Sequence, residues 1–163
     1  MWKKTSFNFD LFWDSFLDKF NFSPSIYNQD WPSIEEPAPF ITWSIFSYKK
    51  ENTYTEINIL SEEFINTILI AASKESRIFG FEHQHEVYEF NANGIYNENT
   101  RWPFFFVPIN DYNIIISEDL SFGFFCHPWE SSICAFGERL FKYFDFSKIP
   151  CKGKIIRTSG ITI

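Results

Sequence analysis

The start of the chain alternates apolar and acidic residues with the spacing of an α-helix. Apolar side chains recur every three or four positions, at Phe9, Phe12, Trp13, Phe16, Leu17 and Phe20. Acidic residues lie between them, so the pattern predicts an amphipathic helix over residues 8–21 with one face in the core. Ser23-Pro24 ends this helix, and three prolines predict an extended connector over residues 28–39.

Later segments are rich in β-branched and aromatic residues and are bounded by turn-forming residues, which is typical of strands. They are Phe40–Tyr48, Tyr54–Leu60, Arg77–Glu82, Glu86–Phe90, Phe104–Pro108, Tyr112–Ser117 and Phe122–Cys126. Helical spacing returns over residues 61–75 and 131–143, and the second of these helices would hold Gly137 in a closely packed position. Residues 150–163 either add an edge strand or form a loose tail.

This order of elements predicts a single α+β domain over residues 1–163, with a mostly antiparallel sheet and three packed helices. Aromatic residues make up 21% of the chain, including 22 Phe, so a large core can form and disorder is not expected. The formal net charge is −7. No nucleic-acid partner is expected, because nucleic-acid binders need cationic surface.

Neither a secretory leader nor a membrane span is expected. Met1-Trp2-Lys3-Lys4 is followed by polar residues, and no stretch approaches the roughly 18 consecutive apolar residues of a transmembrane helix. The cysteines Cys126, Cys134 and Cys151 are odd in number and lack CxxC spacing. These features predict a reduced, cytoplasmic protein without a membrane partner.

The segment His83-Gln84-His85 is a candidate for metal chemistry. On a strand, residues two apart share a face, so both imidazoles would point the same way. With Glu89 nearby and His127 as a further donor, these side chains are the raw material of a transition-metal site. The alternative is a polar strand face whose histidines hydrogen-bond to neighbours. The four residues stay candidates, and the prediction is that no metal and no cofactor is bound.

The polar corner Cys126–Glu130 is a candidate for catalysis. His127 has the chemistry of a general base, and Cys126 or Ser131 that of a nucleophile. Neighbouring residues on a strand point to opposite faces, so Cys126 and His127 are poorly placed for each other, and no catalytic residue is predicted. A structural interpretation instead has Glu130 or Ser131 capping the next helix and Trp129 buried in the core.

Binding is the remaining expectation for this corner. The residues expected to bind are His85, Tyr88, Trp102, His127, Trp129 and Glu130. We expect His85 and His127 to approach each other across the sheet or the corner, with Tyr88 and Glu130 as neighbours, since convergent polar groups mark ligand sites.

Five short segments carry a shared pattern. They are His83-Gln84-His85-Glu86-Val87-Tyr88, Tyr112-Asn113-Ile114-Ile115-Ile116-Ser117-Glu118-Asp119, Phe122-Gly123, His127-Pro128-Trp129-Glu130 and Cys134-Ala135-Phe136-Gly137-Glu138-Arg139-Leu140. Together they resemble DUF2716, a family of uncharacterised bacterial proteins, over about half of the chain. Glu86 stands where the family pattern has a proline. The resemblance implies no activity.

Acidity, small size and incomplete catalytic sets favour a protein that acts by binding. The most concrete version is an immunity protein that neutralises a basic toxin, since aromatic residues and a negative field suit a tight interface with a basic partner. An acidic face is expected near the N-terminus. The carboxylates expected there are Asp10, Asp14, Asp18, Glu35 and Glu36.

Two alternatives stay open beside the binding protein. One is a small metal-dependent enzyme built on His83, His85, Glu89 and His127. The other is a ligand-binding domain whose pocket is lined by Tyr88, Trp102 and Trp129. Stoichiometric metal in the purified protein would separate the enzyme from the binding protein.

Overall fold

The computed structural model describes residues 2–4, 9–46, 64, 66–72, 77–91, 107, 110–143 and 154–161. The described residues form one antiparallel sheet of eight strands. The strands are β1 (Trp2–Lys4), β2 (Phe40–Ser44), β3 (Arg77–Glu82), β4 (Val87–Asn91), β5 (Asn113–Ser117), β6 (Gly123–His127), β7 (Ser132–Phe136) and β8 (Ile155–Ser159). Their order across the sheet is β1-β4-β3-β5-β6-β7-β2-β8.

Helices pack on both faces of this sheet. On one face, α1 (Phe9–Phe20) buries its apolar stripe, including Phe16, against strand side chains. On the other face, the helical residues 64 and 66–71 form α2, which buries Phe64. The short helix α3 (Glu138–Phe141) follows β7. The core is therefore divided into two apolar clusters with the sheet between them.

The central strands are buried on both faces. Every residue of β5, β6 and β7 is buried. Alternate side chains enter the two clusters, so that Ile114 and Ile116 face α1 while Ile115 lies in the cluster with α2. Fully burying one such side chain contributes about 1.5–3 kcal/mol, which makes these strands the main apolar support of the fold.

The predicted α+β fold with a mostly antiparallel sheet is confirmed. The helix predicted over residues 8–21 corresponds to α1, and α2 lies within the predicted range 61–75. Strands are present in the ranges predicted from Phe40, Arg77, Glu86, Tyr112 and Phe122. The predictions for Tyr54–Leu60 and, apart from Val107, for Phe104–Pro108 lie outside the described residues. Within the tail, β8 pairs with β2 at the edge of the sheet.

The helix predicted over residues 131–143 is wrong for its first half. Residues Ser132–Phe136 form β7, paired with β6 on one side and β2 on the other, and α3 begins at Glu138. The run Ile133-Cys134-Ala135-Phe136 is apolar throughout because both of its faces are buried. A short run of that kind lacks the alternation by which a strand is distinguished from a buried helix.

Gly137 makes the turn from β7 into α3. Its φ is +98°, a backbone conformation that side-chain-bearing residues rarely adopt. A Cβ atom there would lie 2.3 Å from the carbonyl oxygen of Ser121. The close packing expected at Gly137 is present, but the residue lies between a strand and a helix instead of inside a helix.

Candidate functional site

Three segments of the shared sequence pattern meet at one end of the sheet. The register places Glu82, at the end of β3, opposite Asn113, and Asn113 opposite Cys126. The turn after β3, the residues before β5 and the corner after β6 are therefore neighbours. We call this region, containing His83, His85, Asp111, Tyr112 and His127, the polar end of the sheet.

His127 lies at the centre of a buried hydrogen-bond network. Its side chain is 1% exposed, and its Nδ1 atom accepts a hydrogen bond from the backbone N–H of Glu130 at 3.1 Å. Its Nε2 atom lies 3.1 Å from the hydroxyl of Ser33 and 3.4 Å from that of Tyr112. Because Nδ1 is an acceptor, the network assigns the proton of the neutral ring to Nε2. Burial lowers the pKa of His127 to about 4, so the ring is neutral at pH 7.

Tyr112 fastens the proline-rich connector to the sheet through the same network. Its hydroxyl accepts from the backbone N–H of Ser25 at 2.9 Å and donates to the carbonyl of Ser25 at 3.0 Å. The hydroxyl of Ser33 lies 3.0 Å away. Ser33 has φ +68°, a backbone conformation that is uncommon for serine. Ser25, just before the connector, and Ser33, in its middle, therefore both contact the Tyr112–His127 pair.

This network does not have the polarity of a nucleophilic serine site. In such a site the histidine accepts the serine proton at one nitrogen and donates from the other to a carboxylate. Here Nε2 of His127 carries the proton that faces Ser33, and Nδ1 receives a backbone N–H. Cys126 lies in the cluster on the other face, and burial raises the pKa of its thiol well above the ordinary value. The hydrogen bonds of this corner therefore hold the side chain of His127 in a fixed position.

A partly buried ion-pair network joins the corner to β8. The guanidinium of Arg157 lies 2.7 Å from a carboxylate oxygen of Glu36 and 2.6 Å from one of Glu130. Burial alone would raise the pKa of Glu130, but the hydrogen bonds from Arg157 and Ser132 outweigh it and the pKa is lowered. Glu36 is only 5% exposed, so the expectation that it belongs to a solvent-facing acidic surface is wrong.

His83 and His85 flank the carboxylate of Asp111. They lie in the turn between β3 and β4, where Gln84 has φ +65°. Nδ1 of His83 is 3.9 Å from one carboxylate oxygen, and Nε2 of His85 is 3.7 Å from the other. Burial lowers the pKa of His83, although Asp111 acts in the opposite direction. The imidazoles converge because of a turn, and the strand alternation assumed from the sequence is not the cause.

The proposed metal donors are not assembled in the part of the chain that the structure describes. No group of three His, Cys, Asp or Glu side chains there could hold a metal ion. Glu89 lies on β4 opposite Phe79, away from the turn that carries His83 and His85. His127 is enclosed by the network around Tyr112.

His85 and His127 are connected only indirectly. His85 is largely exposed and faces Asp111, whereas the ring of His127 packs on Tyr112 at 4.8 Å. Among the described residues, no hydrogen bond or ring contact joins the two imidazoles. Of the two histidines in the β3–β4 turn, His83 is the one whose ring reaches Tyr112, at 6.1 Å.

The expectation that Trp129 is buried is wrong. Its side chain is 43% exposed, and its indole packs over Tyr112 at 5.3 Å and His127 at 6.1 Å. The residue lies in the turn between β6 and β7, which projects beyond both apolar clusters. Tyr88 packs against the cluster on the opposite face, so it does not share a pocket with Trp129. Trp102 lies outside the described residues.

The indoles of Trp31 and Trp129 pack against the Tyr112–His127 pair, and two exposed side chains follow Ser25, which is bonded to Tyr112. These two are Ile26 and the 60% exposed Tyr27. Trp31 packs its indole against His127 at 5.3 Å, and its Nε1 is buried without an acceptor among the described residues. We call Ile26, Tyr27, Trp31 and Trp129 the aromatic patch. Sequence reasoning missed Ile26, Tyr27 and Trp31 because residues in and just before the connector show neither strand nor helix periodicity.

The fold and this site define a small acidic α+β protein with a rigid polar network beneath an exposed aromatic surface. The chain belongs to the family described as Protein of unknown function (DUF2716), whose model matches residues 5–141. No curated protein and no solved structure matches the chain. Among the described residues, no helix has the length and apolarity needed to cross a bilayer.

Proposed function

We propose that this protein acts by binding a basic protein partner through the aromatic patch, and that its most concrete role is that of an immunity protein which neutralises a toxin. The observation that carries the proposal is the half-exposed indole of Trp129, seated on the buried Tyr112–His127 pair. Large exposed rings on a rigid base are the groups that dominate binding energy in protein interfaces.

Rigidity of the patch supports a binding role. Tyr112 and His127 hold their positions through four different hydrogen-bonding groups, and Trp129 and Trp31 pack against them from two directions. A side chain that is ordered before binding loses less conformational entropy when a partner covers it. The same contacts would therefore give a higher affinity than they would on a flexible loop.

Charge supports a basic partner. The chain carries a formal net charge of −7, and Asp14 and Asp18 are exposed on α1. Asp30 lies within the connector beside Trp31 and is also exposed. A negative field accelerates the encounter with a positively charged protein.

The hydrogen-bond polarity at His127 favours binding over hydrolysis. A base for Ser33 would need a free lone pair on Nε2, which is the atom that carries the proton in this network. Ser33 is also buried, so a substrate carbonyl would not reach its hydroxyl.

The test is a binding measurement on a partner purified from the native host. Trp129→Ala should weaken the complex by about 10-fold or more, as truncation of an interface tryptophan does. The matched control is Tyr143→Ala, because Tyr143 is similarly exposed but lies after α3. Equal affinities of wild type and Trp129→Ala would overturn the patch as the interface. Stoichiometric transition metal in the purified protein would favour the metal-dependent enzyme instead.

A further inference from the structure

We infer that the groove between α1 and the β3–β4 turn receives a lysine or arginine side chain of the protein partner. This inference rests on the proposed function and names one contact that the partner makes. The groove encloses about 350 Å³. It has an aromatic wall of Phe9, Trp13 and Phe81, and carboxylates at Asp10 and Glu82.

Glu82 is the residue that makes the groove selective for a cation. Its carboxylate is partly buried, and it has neither a hydrogen bond nor an ion pair with any described side chain. Other glutamates of the chain have a basic partner: Glu36 and Glu130 bind Arg157, Glu86 binds Lys4 and Glu118 binds Arg77. A partly desolvated carboxylate without a cation gains more from an incoming one than a solvated carboxylate does.

The two histidines of the groove do not satisfy Glu82. His83 directs its Nδ1 atom to Asp111, and burial lowers its pKa, so it is neutral at pH 7. His85 also faces Asp111. Burial raises the pKa of Glu82, and the nearby Asp111 adds to this effect, which His85 opposes. These surroundings leave an excess of negative charge at the groove.

The aromatic wall suits a guanidinium or an ammonium on an apolar stem. Trp13 stacks on Phe16 with ring centroids 5.1 Å apart. The ring plane of Phe81 is at 80° to the plane of the Trp13 indole. Rings with fixed orientation attract a cation through their faces and bury the methylene groups of its stem. A carboxylate then binds the head group through charge-assisted hydrogen bonds.

The groove and the aromatic patch are connected by one histidine ring. The ring of His83 lies 6.1 Å from that of Trp13 in the groove and 6.1 Å from that of Tyr112 beneath the patch. A single partner can therefore cover both sites, which is why the groove is assigned to a basic side chain of the protein partner instead of a free small amine.

The experiment is an NMR titration with the blocked peptide Gly-Gly-Arg-Gly-Gly. We expect saturable shifts of the Trp13 indole N–H and the His83 ring. The same peptide with citrulline in place of arginine should bind about 10-fold more weakly, because it keeps the shape and lacks the charge. Glu82→Gln should abolish the shifts. Glu35→Gln should not, because Glu35 is exposed and accepts from Asn21 outside the groove.

Each further outcome distinguishes the groove from the patch. Absence of saturable shifts with the arginine peptide would contradict the assignment of the groove as a site for a basic side chain. This holds even if Trp129→Ala still weakens the partner complex. Binding of free acetyl-arginine amide without binding of the peptide would also overturn it, in favour of a small-molecule site. If Glu82→Gln weakens the partner complex while Trp129→Ala does not, the groove is supported as a contact with the partner and the aromatic patch is contradicted as the interface.

Discussion

The backbone N–H of Glu130 donates to Nδ1 of His127 at 3.1 Å, and this one hydrogen bond determines the tautomer of the ring. It leaves Nε2 with the proton and directs that proton toward the hydroxyls of Ser33 and Tyr112. A charged ring would place a second proton against the N–H of Glu130. The network thus opposes protonation, in the same direction as burial does.

Stability should fall as pH is lowered through the range between about 6.5 and about 4. The pKa of His127 is lowered from 6.5 to about 4, so the unfolded chain binds a proton in this window that the folded chain excludes. The stabilisation is present above pH 6.5 and is lost toward pH 4, on the order of 3 kcal/mol for this group. Urea unfolding at pH 7.5 and pH 4.5 measures it.

His127→Asn is the matched variant for that experiment. Its Oδ1 atom can still accept from Glu130, but it does not titrate. The difference in unfolding free energy between wild type and variant should shrink as pH falls. A parallel pH dependence in both proteins would show that His127 is not responsible.

Tyr112→Phe should destabilise the protein although it removes a single oxygen atom. The hydroxyl satisfies both the N–H and the carbonyl of Ser25, so its loss leaves partly buried polar groups without this partner and should cost about 1–3 kcal/mol. The control is Tyr27→Phe, at an exposed hydroxyl, which should cost little. Denaturant midpoints give the energies, and faster amide exchange at Ser25 would locate the effect.

Arg157→Ala should be among the most harmful substitutions in β8. It leaves Glu36 and Glu130 without their cation in a partly buried site, a change that typically costs about 3–5 kcal/mol. Lys154→Ala, at an exposed position just before β8, is the control. Adding Glu36→Gln to Arg157→Ala should recover part of the loss. An unstable single variant with no such recovery would contradict the charge explanation.

Trp129→Ala should leave the fold nearly as stable as wild type. Because the indole is 43% exposed, its truncation should cost about 1 kcal/mol, well below the roughly 3–5 kcal/mol of a buried aromatic. Phe136→Ala provides the buried comparison. A large loss for Trp129→Ala would mean that any effect on partner binding arises from misfolding.

Association with a basic partner should slow as salt is added. Exposed charges are screened over about 8–10 Å at physiological ionic strength, so steering by Asp14 and Asp18 is salt-dependent. Reversing both charges to lysine should lower the association rate more than it raises the dissociation rate. Glu138→Lys, on α3, is the control. A flat salt series would point to a mainly apolar interface.

The sequence predicted elements well where one face is apolar and the other is polar. The apolar stripe of α1 gave both the type and the approximate bounds of this helix. The sequence was misleading at Ser132–Phe136, because a strand buried on both faces carries no period. The local pattern also says nothing about partners far along the chain, such as Ser25 for Tyr112 or Arg157 for Glu130.

For the site, the sequence pointed to the segments around His83 and His127 but not to the contacts that their side chains make. The rings that meet at one end of the sheet are those of His83, Tyr112 and His127, whereas the expected pair was His85 and His127. Trp129 was assigned to the core because it follows Phe124 and Phe125 at the corner and precedes Phe136, yet the turn after β6 carries it outward. Tyr27, just before the connector, and Trp31 within it gave no signal, since the position of this segment depends on side-chain hydrogen bonds that no periodicity encodes.

The family match ends at residue 141, but the folding unit does not. Arg157, sixteen residues beyond that boundary, neutralises Glu36 and Glu130 inside it. A fragment cut at the boundary would retain the matched sequence and lose the countercharge. Protonation of the two carboxylates would then relieve their repulsion and oppose the effect of His127, which the fragment keeps, so mild acid should destabilise the fragment less than it destabilises the whole chain.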